Sequence, residues 1–164
     1  VDGIDACRKI CILGAMAFGS LVPSEQVYTR GIREVTQEDV ARAEAKGCTI
    51  KLIARCVKLA NGKIHYSVQP FMVRKTNPLA NISDVYNGIL IRGNAVGDVL
   101  LYGAGAGRMP TASAVVSDII DIVKHAGEPL HSQIWEKNDS ICTDTLTPEA
   151  DTSMRETLGF PLFE

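Results

Sequence analysis

Apolar residues fill almost all of positions 10–18 and predict a helix near the start of the chain. The helix is expected to run over residues 4–18, with Asp2 as its cap, because a carboxylate there can accept hydrogen bonds from the amides of the first turn. Asp5 follows three residues later, as in a capping box. Beyond Lys9 the helix is apolar on every side, which predicts burial all round. The charged residues of its first turns would then lie where the buried helix meets the protein surface.

Two further helices are predicted from their end signals and spacing. Thr36 with Asp39 forms a capping pattern, and Gly47 gives a C-terminal stop. Residues 111–124 carry an apolar stripe at helical spacing, which predicts an amphipathic helix with one buried face. The stripe consists of Ala112, Val115, Val116, Ile119, Ile120 and Val123.

Two strand pairs are predicted between these helices. Asn61 and Gly62 supply the residues that a two-residue hairpin turn needs, and Gly93-Asn94 marks a second turn. Pro78 lies in the expected loop between the pairs. The predicted pairs are residues 49–59 with 63–73 and residues 85–92 with 96–102. This order of elements predicts an α+β fold, with a largely antiparallel or mixed sheet and helices on one face.

Composition excludes several classes of partner. The net charge is −2, with scattered Lys and Arg, which gives no basic stripe for nucleic acid. The apolar run is too short for a membrane span of about 20 residues. Five cysteines at irregular spacing, without a CxxC pair or a signal peptide, fit a reducing cytoplasm. A soluble cytoplasmic protein is expected, without membrane or nucleic-acid partners.

The length of 164 residues suits one domain. We expect that domain to cover residues 1–126, with a tail or linker over residues 127–164, where periodicity is lost. The chain begins at Val1 without an initiator Met. It is therefore expected to derive from a longer polypeptide.

Asp5 and Lys9 are four residues apart, so their side chains share a helix face. Most such pairs are surface ion pairs of small value, and that is the ordinary interpretation. The apolar helix body that follows favours another one, because a lysine beside a desolvated site can act as an acid or base.

The glycine-rich stretch Gly103, Ala104, Gly105, Ala106 and Gly107 follows a predicted strand and precedes a helix. Small residues there let a ligand approach the backbone, and helix-start amides attract negative charge. The spacing is GxGxG, whereas the dinucleotide fingerprint is GxGxxG. By pattern alone, a tight turn is the commoner interpretation.

No metal site is expected. Cys7 and Cys11 share a helix face but have no matching pair elsewhere, so they are interpreted as buried packing residues. The three histidines, His65, His125 and His131, have neither ligand nor triad spacing.

Taken together, these motifs resemble the substrate-binding and dimerisation domain of homoserine dehydrogenases. The resemblance covers about residues 1–124. It is carried by residues 2–9, 31–36, 39–47, 50–54, 77–80 and 102–107 with 110–115.

The resemblance implies reversible NADP- or NAD-dependent reduction of L-aspartate 4-semialdehyde to L-homoserine, in threonine, methionine and isoleucine biosynthesis. It implies that Lys9 is the catalytic acid/base and that Asp5 and Lys9 bind substrate. It further implies that the stretch 103–107 contacts the cofactor, and that the helix after it packs on an N-terminal nucleotide-binding domain of the same polypeptide. Most of the cofactor site would belong to that domain, which is absent from this chain.

The resemblance also implies a homodimer formed through this domain. A non-catalytic dimerisation module, with Lys9 as a surface charge, is the alternative from another class. A further alternative is that the chain is the dehydrogenase part of a bifunctional fusion with aspartate kinase. An attached regulatory ACT domain, and the choice between NADP and NAD, are left open.

Overall fold

The computed structural model describes residues 1–127, 136–137, 141–142 and 158–162. The chain divides into two compact units, Val1–Ala80 with Ile134–Glu164, and Asn81–Gln133. The helices are α1 (Ile4–Phe18), α2 (Gln37–Ala45) and α3 (Arg108–Lys124). The strands are β1 (Ser20–Leu21), β2 (Tyr28–Thr29), β3 (Cys48–Lys58), β4 (Ile64–Arg74), β5 (Tyr86–Gly93), β6 (Gly97–Ala104), β7 (Glu136–Lys137), β8 (Ile141–Cys142) and β9 (Gly159–Pro161).

The first unit is built around β4. One edge of β4 pairs antiparallel with β3 along its whole length. Its other edge is shared by three short strands, β8 and β2 in parallel and β9 antiparallel. The described residues thus have an α+β fold, as predicted, and the sheet around β4 in the first unit is mixed.

The core of the first unit follows the alternation of side chains along β4. Near its start, Ile64, Tyr66 and Val68 pack against the buried face of α1. Towards its end, Phe71 and Val73 pack with Ala80 and Leu158, and Met72 packs in a cluster that includes Ala43 of α2, Cys48 and Leu162. Every residue of β4 from Ile64 to Val73 is buried.

Helix α1 has the predicted bounds but not the predicted surroundings. Its buried residues are Cys7, Ile10, Cys11, Gly14 and Ala15, which form one face. On the opposite side, Ile12 and Met16 are 50% and 65% exposed. The expectation of burial all round was therefore wrong for this chain, because an apolar helix is buried only where a neighbour covers it.

The predicted cap of α1 was also wrong. The N-cap residue is Gly3, which has a φ of 83° and makes no side-chain capping bond. The carboxylate of Asp2 is instead hydrogen-bonded by the Arg33 guanidinium. A side chain cannot cap a helix while it is engaged in another direction.

Helix α2 and its predicted capping box are confirmed. The hydroxyl of Thr36 accepts a hydrogen bond from the Asp39 amide at 3.2 Å, and the Asp39 carboxylate accepts one from the Thr36 amide at 3.0 Å. Gly47 follows the helix with a φ of 67°. A left-handed glycine at this place ends a helix without steric cost.

The first hairpin is confirmed, but its turn is longer than predicted. Lys58 pairs with Ile64, which leaves five residues between the strands. Gly62 has a positive φ, whereas Asn61 uses its side-chain oxygen to accept a hydrogen bond from the Lys63 amide. Because only one of the two residues is left-handed, the turn is not of the two-residue type.

The second unit contains the other predicted hairpin and α3. Strands β5 and β6 pair antiparallel, and the rings of Tyr86 and Tyr102 stack across them with centroids 4.9 Å apart. No residue of α3 is buried. The expected buried face of this helix is thus exposed within this chain.

Part of the predicted tail falls within the described residues. Strand β9 pairs with β4, and the amide of Leu162 donates to the carbonyl of Pro70 at 3.0 Å. Most of residues 127–164, including His131, lies outside the described residues. Among the described helices, none is both long and apolar enough to cross a bilayer.

Candidate functional site

Asp5 and Lys9 form the predicted pair on the first turns of α1. Their carboxylate and ammonium groups are 2.9 Å apart, from Oδ2 to Nζ. The side chains are 83% and 64% exposed, respectively. An ammonium group held by a carboxylate at an open surface can meet a ligand and can exchange its proton with solvent.

The buried side of α1 fixes this pair on the first unit. Cys7 lies between the two charged positions, Ile10 follows Lys9, and both pack into the core against β4. The first helical hydrogen bond runs from the amide of Cys7 to the carbonyl of Gly3 at 2.8 Å. Asp5 and Lys9 consequently project from a helix that is anchored on its opposite face.

Asp2, immediately before the helix, lines two open depressions. The first, of about 270 Å³, is lined by Val1, Asp2, Gly3, Ile4, Asp5, Ala6 and Leu52. The second, of about 290 Å³, is lined by Asp2, Thr29, Arg30, Gly31, Arg33 and Glu34. Of the predicted pair, Asp5 lines the first depression, and Lys9 lies beyond the lining of both.

The guanidinium of Arg33 binds both carboxylate oxygens of Asp2. Its Nη2 lies 3.0 Å from Oδ2, and its Nε donates to Oδ1. These hydrogen bonds hold the pKa of Asp2 below its usual value, and the same interaction raises the pKa of Arg33. Asp2 is therefore a stable anion beside Asp5 at neutral pH.

Sequence analysis did not single out Arg33 as a partner of this region. The two residues of the pair are 31 positions apart, so helical spacing gives no signal for it. The only sequence signal was the Gly31-Ile32 step within residues 31–36, which carried part of the family resemblance.

The glycine-rich stretch lies in the second unit, at the end of β6. Gly103 has no atom within 4 Å of the position where a Cβ would lie, so its surface is open. At Gly105 a Cβ would come within 2.8 Å of Asn87 Cγ, and the Gly105 amide donates to the Val85 carbonyl at 3.2 Å. Gly107 is the N-cap of α3, with a φ of 122° and no side-chain capping bond. The stretch thus offers open backbone and the free amides of a helix start.

Comparison with known proteins identifies the family. The profile of the family described as homoserine dehydrogenase matches residues 1–120. The chain belongs to the homoserine dehydrogenase family. Asp5, Lys9 and the stretch 103–107 all lie within the matched residues.

Individual homoserine dehydrogenases agree with this assignment. The protein named homoserine dehydrogenase from Synechocystis sp. is 45% identical over 130 residues, which cover 75% of this chain and 29% of that protein. The crystal structure of a homoserine dehydrogenase from Thiobacillus denitrificans matches with a TM-score of 0.74 and 39% identity, over 90% of this chain and 34% of that one.

A hyperthermophilic archaeal homoserine dehydrogenase, solved in complex with NADPH, matches with a TM-score of 0.57 and 36% identity. That match covers 76% of this chain and 34% of the archaeal one. The present chain thus spans about a third of the length of the homoserine dehydrogenases that it resembles.

Cys7 and Cys11 of this homoserine dehydrogenase segment pack in the core, as predicted. Both are buried beside Cys56 and Tyr66. Burial raises the pKa of the Cys11 and Cys56 thiols to about 11. Among the described residues, no group of His, Cys, Asp or Glu side chains is arranged to hold a metal ion.

Proposed function

We propose that this chain is the substrate-binding and catalytic segment of a homoserine dehydrogenase. The reaction is the reversible NAD(P)H-dependent reduction of L-aspartate 4-semialdehyde to L-homoserine. The observation that supports it best is the Asp5–Lys9 pair, 2.9 Å apart at the exposed start of α1, within the family-matched residues.

Lys9 is the general acid in the direction of reduction. As the aldehyde carbon accepts hydride, its carbonyl oxygen becomes an alkoxide, and the ammonium of Lys9 donates a proton to it. The neutral amine then regains a proton from solvent, to which Lys9 is open. In the reverse direction the neutral amine removes the hydroxyl proton of homoserine.

Asp5 has two roles in this proposal. Its carboxylate orients the Lys9 ammonium through the ion pair. The same carboxylate binds the cationic amino group of the substrate through a second charge-assisted hydrogen bond. Both roles require the carboxylate to be ionised, and both are consistent with its place in the lining of the first depression.

A bound nicotinamide cofactor would supply the hydride. The open backbone at Gly103 and the uncapped amides after Gly107 fit part of such a ligand, because they leave room and favour negative charge. We assign this contact to Gly103, Ala104, Gly105, Ala106 and Gly107. The remainder of the cofactor site belongs to a nucleotide-binding domain of the same polypeptide, and NADP is favoured by the NADPH complex of the archaeal relative.

The same proposal includes the assembly and location of the enzyme. Residues 1–126 form the substrate-binding and dimerisation part, and two copies form a homodimer in the cytoplasm. Strand β3 supports the dimer, because it is 11 residues long and, among the described strands, pairs only with β4. Such a long open edge is normally covered.

The test of function is Lys9→Ala in the full-length enzyme, measured by steady-state kinetics. Turnover should fall by about two to four orders of magnitude, the range of general acid/base catalysis, with little change in cofactor affinity. The exposed Lys63 serves as a matched control, because Lys63→Ala removes an equal charge from a hairpin turn. If Lys9→Ala lowers turnover less than about threefold, Lys9 is a surface ion-pair residue and its assignment as the catalytic acid/base is wrong.

A further inference from the structure

The backbone enters α1 through a residue that cannot by itself fix the direction of entry. Gly3 is left-handed, with a φ of 83°, and gives the helix no side-chain cap. Glycine has the widest choice of backbone conformations of any residue. Cys7 and Ile10 anchor the helix body on the core, and the direction of the first turn, which carries Asp5, depends in addition on contacts made by the residues before it.

Those contacts come from the segment around Gly31. The amide of Ile32 donates to the carbonyl of Val1 at 2.9 Å. A Cβ at Gly31 would lie 2.6 Å from the Cα of Asp2 and would collide with the Val1 carbonyl. Only glycine allows the two backbones to approach so closely.

This segment is itself fastened to the central strand. The amide of Arg30 donates to the carbonyl of Val68 in β4 at 2.8 Å. A Cβ at Gly3 would lie 3.1 Å from Thr29 Cγ2 and 3.3 Å from Val68 Cγ1. The backbone that leads into α1 at Gly3 therefore has little space in which to shift. A continuous set of contacts therefore leads from the buried strand to the first turn of α1.

The side-chain part of this connection is the Arg33–Asp2 pair. It is bidentate and joins residues 31 positions apart. Its side chains are 68% and 50% exposed, so it adds little to the overall stability of the fold. Two hydrogen bonds from one guanidinium to one carboxylate nevertheless restrict the relative orientation of the two side chains as well as their distance.

We infer that Arg33 is a positioning residue for the reaction: by holding Asp2, it sets the direction in which the chain enters α1 and thereby places Asp5 and Lys9 for catalysis. This inference rests on the proposed function. It assigns a role to the segment 31–36, which the catalytic proposal leaves unused.

The experiment compares Arg33→Ala with Arg42→Ala in the full-length enzyme. Arg42 is a matched control, because it is also an exposed arginine, paired with Asp39 at 2.8 Å on α2. Displacing a catalytic group by a fraction of an ångström to 1 Å should lower kcat by about tenfold or more in Arg33→Ala. Cofactor KM and the thermal midpoint should change little, and Arg42→Ala should stay within twofold of the parent.

A charge swap supplies the second measurement. Asp2→Arg alone places two cations together and should lower kcat, whereas Asp2→Arg combined with Arg33→Asp restores a pair and should recover most of it. Recovery requires the pair itself, so it distinguishes positioning from a general loss of stability. If Arg33→Ala keeps kcat within twofold, or if the swap recovers nothing, the inference is overturned.

Lys9→Ala is measured beside these variants. If Lys9→Ala is inactive while Arg33→Ala is unaffected, only the positioning inference fails. If Lys9→Ala keeps its activity, the proposed function fails, and the Arg33 role fails with it.

Discussion

The phenol of Tyr66 lies against the backbone of Gly14, where no side chain could fit. A Cβ at Gly14 would come within 2.7 Å of Tyr66 Cζ and closer still to the hydroxyl oxygen. Tyr66 is fully buried, and burial raises its pKa to about 12. The separation of α1 and β4 at this contact is thus set by a glycine on one element and an aromatic ring on the other.

Gly14→Ala should destabilise the protein. Alanine is preferred over glycine within a helix by about 1 kcal/mol, but the added methyl group must displace a fully buried ring, and overpacking of this kind costs about 1–3 kcal/mol. Unfolding by urea, followed by circular dichroism, should give a lower midpoint. Tyr66→Val in the same background should relieve the collision and raise the midpoint again. A stabilised Gly14→Ala single variant would contradict the packing described.

The Cys11 and Cys56 thiols should react slowly with a disulfide reagent at pH 8. Their pKa of about 11 keeps the thiolate fraction small in the folded protein, and the thiolate is the nucleophile. Single Cys11→Ser and Cys56→Ser variants assign the reaction to each residue, and urea-unfolded protein gives the reference rate. Equal rates in the folded and unfolded states would show that burial does not protect them.

These raised pKa values also predict a pH dependence of stability. The thiols are ordinarily half-ionised near pH 9.0, and the folded state favours their protonated form. The contribution of these two thiols to the free energy of unfolding is therefore fully present below pH 9, and it is lost as the pH rises towards 11. The urea midpoint should fall over that window, and it should fall less in a Cys11→Ser, Cys56→Ser double variant.

The 164-residue chain by itself should show no dehydrogenase activity and should bind NADPH weakly or not at all. The second unit offers a glycine-rich stretch and one helix start, which cannot replace a nucleotide-binding fold. Isothermal titration calorimetry with NADPH is the measurement. Micromolar or tighter binding by this chain would show that the described residues hold more of the cofactor site than we assign to them.

The same chain should form a dimer at micromolar concentration. Among the described strands β3 pairs only with β4, so its long outer edge needs cover, and a two-fold interface covers equivalent surfaces on both copies. Sedimentation equilibrium gives the mass. A monomer mass that does not vary with concentration would place the dimer contacts outside these residues.

Local signals explain what could be predicted from the sequence. The bounds of α1, the capping box of α2 and the Asp5–Lys9 pair all depend on residues within four positions of each other. The exposure of α1 and α3 could not be predicted, because burial depends on which surfaces a neighbour covers. The Arg33–Asp2 pair joins distant residues, and two-residue strands such as β2 have no periodicity to detect.

The order in which β4 acquires its neighbours constrains how this protein folds during synthesis. Its hairpin partner β3 precedes it directly, but β9 pairs Phe71 with Pro161, far later in the sequence. Contacts between such distant residues raise the contact order and slow folding. Until the ribosome has released residues 159–161, that end of β4 exposes unpaired backbone and apolar side chains. During this interval the nascent chain exposes surface that is prone to aggregation, so a chaperone that binds this end of β4 would protect it.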